Sequence, residues 1–406
     1  MPKGPARAWP TVINVEGWRW RAVILVPNGV WSAAMSTQQP RRIRVAVVFG
    51  GRSSEHGISC VTAGSVLRAI DQDRYEVVPV GITMDGRWVL GPDDPTRLAI
   101  TDGKLPEVAD VGGTVMLPAT RTGVELSVYE PGSVPKALGS VDVVMPLLHG
   151  PFGEDGTLQG LLELANVPYV GSGVLASAVG MDKHYMKLVL RASGLPVCRH
   201  VLVQPGSWEA QRARVESEVA ELGWPVFVKP ARAGSSVGIT KVHKPDELET
   251  AVHAAREHDP KVIVEEAVIG REVECGVLQG VDGGPPEASV VGEVLVDETH
   301  EFYDFEAKYL DENLRLDVPA DLSDGVAQEV RGLAARAFEA LSCEGLARVD
   351  FFYREDGSLL VNEVNTMPGF TPTSMFPMLW AASGLDYPAL VDRLITTALS
   401  RPTGLR

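Results

Sequence analysis

Residues 347–365 read ARVDFFYREDGSLLVNEVN, two β-branched and aromatic runs around an Asp-Gly pair. That pair is the strongest short hairpin signal, because a type I′ turn needs positive φ at both central residues. With Asp356 and Gly357 in the turn, Glu355 faces Ser358, Asp350 faces Glu363 and Arg348 faces Asn365. Side chains alternate with period two, so Arg348, Asp350, Glu363 and Asn365 project from one face of the ribbon. A four-residue loop over 354–357 preserves that face, and a three-residue loop breaks it. Two carboxylates side by side repel, the more so when partly buried. A hard divalent cation removes the conflict, and Mg2+ prefers one or two carboxylates completed by phosphate oxygens. The alternative is a solvated sheet edge that tolerates acids.

A chain of 406 residues is long enough for two or three domains. Its apolar share of 45% and charged share of 22% are those of a soluble globular protein. A formal charge of −16 disfavours nucleic acid or an anionic membrane as the main partner, while leaving room for a small anion held by local basic groups. Cys60, Cys198, Cys275 and Cys343 are widely spaced, which reads as buried thiols in a reducing, cytoplasmic compartment. No apolar run approaches the length of a membrane span. Residues 1–40 differ in kind, with four tryptophans in no clear period followed by a polar STQQPRR linker. They read as a weakly ordered appendage or as a segment outside the fold; a further reading places them upstream of the physiological start.

From residue 42 onward strands and helices alternate. RIRVAVVFGG is a buried strand ending in glycines, 58–71 a helix, YEVVPVGITMDGRWVL a strand and hairpin, and VDVVMPLLHG another buried strand. This pattern is an open α/β domain, with ligands expected at the carboxyl ends of its strands. A helix is expected to run from Met181. PVFVKPARAGSSVGITKV reads as two strands joined by a glycine-serine loop, and long strands follow from 261.

Backbone N–H groups of the loop ARAGSSVG, 231–238, are free to wrap a phosphate, with Lys229 at the end of the preceding strand. A plain hairpin turn is the competing account of the loop alone. With the acidic ribbon also present, nucleotide–Mg2+ binding explains both, and neither a P-loop nor a dinucleotide fingerprint is present. In VFGGRSSEHGISC, Glu55 falls near a helix N-terminus, where a carboxylate is favoured or simply caps. His149 ends a strand in LHGPFGEDGTLQG.

Taken in order, GGRSSE, LHGPFGEDGTLQG, MDK, VKPARAGSSVG, EFYDFEAKY, ARVDFF and NEVNTMPGFTPTSM resemble the D-alanine–D-alanine ligases of the ATP-grasp fold. The resemblance runs from about residue 42 to 399. It implies an α/β (α+β) architecture of three domains, 41–171, 172–264 and 265–402, with ATP between the central and C-terminal ones. It implies that Asp350, Glu363 and Asn365 hold two Mg2+ ions, for which Mn2+ can substitute. Lys183, Lys229 and Lys308 would meet ATP phosphates, and Ser235 and Ser236 would belong to the phosphate loop. Glu265, Glu266, Val268 and Glu272 would meet adenine and ribose, although Glu266 stands where some members have lysine. Gly57 stands where many members carry a second acid. Glu55 would grip the ammonium of the first D-alanine, and His149 would line the substrate site. Arg348 and the backbone N–H of Gly369 would stabilise an oxyanion, and Ser374 and Met375 would hold the second carboxylate.

The polar segment 301–313 reads either as a surface loop or as a cover over the site. In the family reading Tyr309 bonds Ser235 and Glu55, and members that make D-alanyl-D-lactate tend to have phenylalanine there. The implied activity is ATP-dependent joining of two D-alanine molecules for cell-wall precursors, by a homodimer. A D-alanine–D-lactate ligase, another ATP-grasp carboxylate–amine ligase and a non-catalytic nucleotide sensor are the alternatives.

Overall fold

Strand β1 (Ile43–Gly50) is apolar apart from Arg44, and Val45, Val47 and Phe49 are fully buried. Such a strand needs neighbours on both edges and layers on both faces. It has them: β2 (Tyr75–Ile82) and β7 (Val143–Pro146) flank it in parallel. Beyond β2 the sheet continues antiparallel through β3 (Trp88–Leu90), β4 (Thr114–Met116), β5 (Val124–Tyr129) and β6 (Lys136–Val141). The computed structural model describes residues 41–406 apart from 93, 117–123, 131, 207, 236, 296–314 and 405–406. The reading of residues 1–40 therefore lies outside the described residues. At the end of β1, Gly50 has a φ of +89°, and a Cβ there would lie 2.3 Å from the Ile82 carbonyl oxygen. Only glycine lets the chain leave the strand at that point. It turns into helix α1 (His56–Ala69).

Two further sheets follow. β8 (His200–Val203), β9 (Val226–Pro230), β10 (Thr240–Val242) and β11 (Val262–Glu266) form an antiparallel sheet in the order β10-β9-β11-β8. As expected, the glycine-serine loop joins β9 to β10. β12 (Arg271–Leu278), β13 (Glu287–Leu295), β14 (Arg315–Asp317), β15 (Leu346–Tyr353) and β16 (Leu359–Asn365) form the last, ordered β14-β13-β12-β15-β16. The remaining α-helices among the described residues are α2 (Thr157–Leu164), α3 (Val174–Met181), α4 (Lys183–Ala192), α5 (Trp208–Ala220), α6 (Leu248–Arg256), α7 (Asp324–Ala340), α8 (Met375–Ala382) and α9 (Tyr387–Ser400). Cores form where apolar helix faces meet sheets. Leu390, Leu394 and Ile395 of α9 pack with Val45 and Val47, and Met186 and Leu190 of α4 join Ala334 and Ala337 of α7 against the third sheet.

Two expectations need correcting. The helix expected to run from Met181 starts two residues later: α3 ends at Met181, and Asp182 caps α4, accepting from His184 N (3.1 Å) and Tyr185 N (3.2 Å). The β15–β16 turn is not the two-residue type either. Arg354 N–H donates to Ser358 O (2.9 Å), Gly357 N–H donates to Arg354 O (3.0 Å), and Gly357 has positive φ while Asp356 does not. A three-residue loop needs one left-handed residue where type I′ needs two, which spares Asp356 that conformation. The looser turn shifts the ladder, pairing Tyr353 with Leu359 and Phe351 with Val361. A β-bulge at Asn362 then restores the phase, so Asp350 faces Glu363 and Arg348 faces Asn365 after all. A three-residue loop does not break the shared face, because the bulge compensates.

Candidate active site

The ribbon face continues across the sheet. Glu274 on β12 is paired with Asp350, and Asp350 with Glu363, setting three carboxylates in a row over three strands. Asp350 is buried. Arg348 holds both its oxygens (2.7 and 2.8 Å) and also reaches Glu274 (2.9 Å). The Asn365 amide donates to Asp350 (2.9 Å), and Lys183 lies 3.5 Å from Glu363. Among the described residues no three His, Cys, Asp or Glu side chains form a ready-made metal cage. Mg2+ requires none, and two carboxylates with an amide oxygen at a cleft wall suit it once phosphate oxygens complete the shell.

This face looks into a cleft of about 1170 Å³. The glycine-serine loop forms another wall. Lys183 donates from its backbone to Ala231 O (3.0 Å) and from Nζ to Ala233 O (2.9 Å), so the start of α4 props the loop. Ser235 has a φ of +47° and its hydroxyl donates to Glu55. A Cβ on Gly234 would lie 2.6 Å from Glu55 Oε2, so a side chain there would push the carboxylate from its place. Glu55 occupies the N-cap position of α1 but makes no capping bond with its side chain. The plain capping account of Glu55 is thereby excluded: its carboxylate points across the cleft to the loop.

Beside Glu55 lie buried His149 and partly buried Glu154. His149 Nδ1 meets Met367 O (3.1 Å), while its buried Nε2 has no hydrogen-bond partner among the described residues. Burial holds its pKa below the ordinary imidazole value against the pull of Glu55, so the ring is neutral near pH 7. Glu154 accepts from Gly150 N (2.6 Å) and Met367 N (3.1 Å). Burial, and then the charge of Glu55, push its pKa up to about 8.

At the far end, Glu265 is buried between two ammonium groups, Lys229 (2.7 Å) and Lys187 (3.0 Å). Burial alone would raise its pKa, but the two lysines hold it well below the usual carboxylate range. Burial alone would lower that of Lys229, but Glu265 outweighs it and leaves the pKa raised. The carboxylate of Glu266 turns to Arg199, accepting from its backbone N (2.7 Å) and Nε (2.8 Å). Val268 and Glu272 line the cleft, as do Gly369, Ser374 and Met375. Ser374 caps α8 by position, while its hydroxyl meets Thr371 Oγ1 (2.8 Å) and accepts from Thr371 N (3.1 Å).

Every site residue expected from sequence and described by the structure thus lines one cleft; Ser236, Lys308 and Tyr309 lie outside the described residues. Glu154, Lys187 and Glu274 were missed. Lys187 had one faint signal, its place one helical turn after Lys183.

Family models match most of the chain: "D-ala D-ala ligase N-terminus" over residues 44–172 and "D-ala D-ala ligase C-terminus" over 189–396. The chain belongs to the D-alanine–D-alanine ligase family. The ligase from Streptomyces avermitilis is 59% identical over 91% of this chain and 97% of its own length. That from Kineococcus radiotolerans is 59% identical over 91% of this chain and 100% of its own. Among solved structures, the VanG D-Ala:D-Ser ligase from Enterococcus faecalis is similar with a TM-score of 0.75 at 35% identity, covering 88% of this chain and 100% of that one. Placed on this family's ATP-grasp fold, the cleft lies where the three sheets meet.

Proposed function

We propose that this chain joins two D-alanine molecules at the expense of ATP, through an acyl phosphate on the first. The observation that carries the reading is the meeting of Glu55, the glycine-serine loop and the Asp350–Glu363 face in one cleft. Curated relatives named D-alanine–D-alanine ligase at 59% identity support it.

Glu55 receives the ammonium of the first D-alanine. The carboxylate of that D-alanine attacks the γ-phosphoryl of ATP, and ADP leaves. Asp350, Glu363 and Asn365 would hold two Mg2+ or Mn2+ ions, which when bound neutralise phosphate oxygens and align the transfer. Lys183 and Lys229 place positive charge beside the phosphates, with Lys308 as a third from 301–313. Glu265, Val268 and Glu272 take adenine and ribose, and Glu266 serves through its backbone because Arg199 occupies its carboxylate. The amine of the second D-alanine attacks the acyl carbon and passes a proton to the phosphate that leaves. The oxyanion is met by Arg348 and the Gly369 N–H, and phosphate then departs. His149 Nε2, the ring nitrogen without a partner among the described residues, is offered to the bound amino acids, while Ser374 and the Met375 N–H hold the second carboxylate. Tyr309 closes the first pocket.

Domain boundaries are proposed at 171/172 and 264/265, although the second falls inside β11 of the second sheet, which ends at Glu266. The work is placed in the cytoplasm, making dipeptide for peptidoglycan. A homodimer is proposed through α2 and α3, where Leu164 is 81% and Leu175 65% exposed. Phosphate release with ATP and Mg2+ tests the reading with D-alanine, L-alanine, D-lactate and D-serine. D-Alanine alone is expected to support release and yield dipeptide. Release indifferent to the stereochemistry of alanine contradicts it.

A further inference from the structure

Lys187 is 1% exposed, deeper than any ammonium in the phosphate wall. A lysine so placed costs several kcal/mol unless paired and hydrogen-bonded. Its Nζ makes two contacts that join distant parts of the site. One is the ion pair with Glu265 on β11 (3.0 Å), and the other is a hydrogen bond to the backbone carbonyl of Asn362 on β16 (2.6 Å). Asn362 is the bulge residue.

The bulge carries a cost and a consequence. An extra residue falls out of the ladder, leaving its backbone polar groups to find other partners in a buried region. Without the bulge, the turn-side register continued by one step would set Asn362 opposite Asp350. Glu363 would then rotate to the opposite face, against the apolar packing of α4 and α7. The bulge is therefore what turns Glu363 into the cleft, and Lys187 supplies the donor for the exposed carbonyl. The same α4 face carries Lys183, whose Nζ contacts both the glycine-serine loop and Glu363.

We propose that Lys187 is a positioning residue: one ammonium holds the Asn362 bulge, and with it the cation-facing Glu363, in fixed relation to Glu265 at the nucleotide end. This rests on the proposed function, since it gives Glu363 its partner. It makes α4 a bracket between the second and third sheets, locking the separation of nucleotide and cation sites before either ligand arrives.

The test is Mn2+ binding in the presence of saturating ADP, followed by electron paramagnetic resonance, with thermal unfolding alongside. Lys187→Met keeps the length and removes both donor and charge. It is expected to weaken Mn2+ binding by about tenfold or more, the range seen when support behind a metal ligand is lost. Deleting Asn362 in the same variant makes the ladder regular with Asp350 still opposite Glu363, so most of the lost affinity is expected to return. A merely structural lysine would lower the melting temperature without moving the Mn2+ dissociation constant, and no deletion would repair it. A folded Lys187→Met protein with a smaller loss than that overturns the inference, as does a deletion that restores nothing. Should Lys187→Met alone fail to fold, the deletion variant decides: Mn2+ affinity near wild type supports the proposal, and affinity still reduced tenfold overturns it. If the wild-type protein itself binds no Mn2+ with ADP, the functional reading fails instead.

Discussion

Arg348 lies between two duties. Its guanidinium neutralises Asp350 and Glu274 in the structure described, and in the proposed reaction it meets the oxyanion. Lys183 stands in the same relation to Glu363. Cations already neutralise the acidic face, so in the proposed reaction a divalent ion bound there would displace them toward the phosphates and the acyl group. Arg348→Met is expected to lower kcat by about 10²–10³-fold, roughly 3–4 kcal/mol of transition-state stabilisation, and steady-state kinetics with D-alanine reads it. Glu154 gives a pH prediction. Its folded pKa is raised from 4.5 to about 8, so the folded state keeps a proton that the unfolded state releases. Its contribution to stability is full below 4.5 and is lost as pH rises through about 8. Relative to Glu154→Gln, the ligand-free protein should lose stability across that window and no further above it. Urea midpoints at several pH values check this, and a constant difference contradicts it. Sequence pattern paired Asp350 with Glu363 correctly only because the bulge at Asn362 cancels the one-residue error in the turn. It did not reveal Glu154 or Lys187, whose partners arrive from segments far away in the chain, 175 residues away for Asn362.

At the scale of elements, the ribbon and α4 carry the arrangement. The turn was misread because Asp-Gly serves two loop lengths, and the choice is settled by a bulge that sequence does not mark. α4 was legible as a helix but not at its start. Asp182 caps it and also binds Lys261 with both oxygens (2.7 and 2.9 Å), a buried pair linking the helix to the end of the second sheet. Replacing Asp182 by alanine removes a cap worth about 1 kcal/mol and strands a buried ammonium. A total loss of about 3–5 kcal/mol is expected, read as a lower urea midpoint with an unchanged slope. Because α4 presents Lys183 and Lys187, the same variant should weaken nucleotide binding.

Across the whole molecule, three sheets contribute walls to one cleft: Glu55 follows the first, the glycine-serine loop belongs to the second, and the acidic row lies on the third. The α/β character and the order of motifs were legible in the sequence, since buried strands and glycine-bounded loops signal themselves locally. The fit between sheets was not, because it depends on contacts such as Gly234 against Glu55. If α2 and α3 form the proposed dimer contact, Leu164→Glu with Leu175→Glu should give a monomer by light scattering while the melting temperature changes little; an unaltered mass removes that surface from consideration. The central claim is that the Asp350–Glu363 face holds the cation of a nucleotide. Its most direct test is anomalous diffraction from crystals grown with Mn2+ and ADP. The account predicts peaks bounded by Asp350, Glu363, Asn365 and the nucleotide phosphates, with Arg348 withdrawn from Asp350. Manganese elsewhere in the cleft, with the Arg348–Asp350 pair intact, would contradict it.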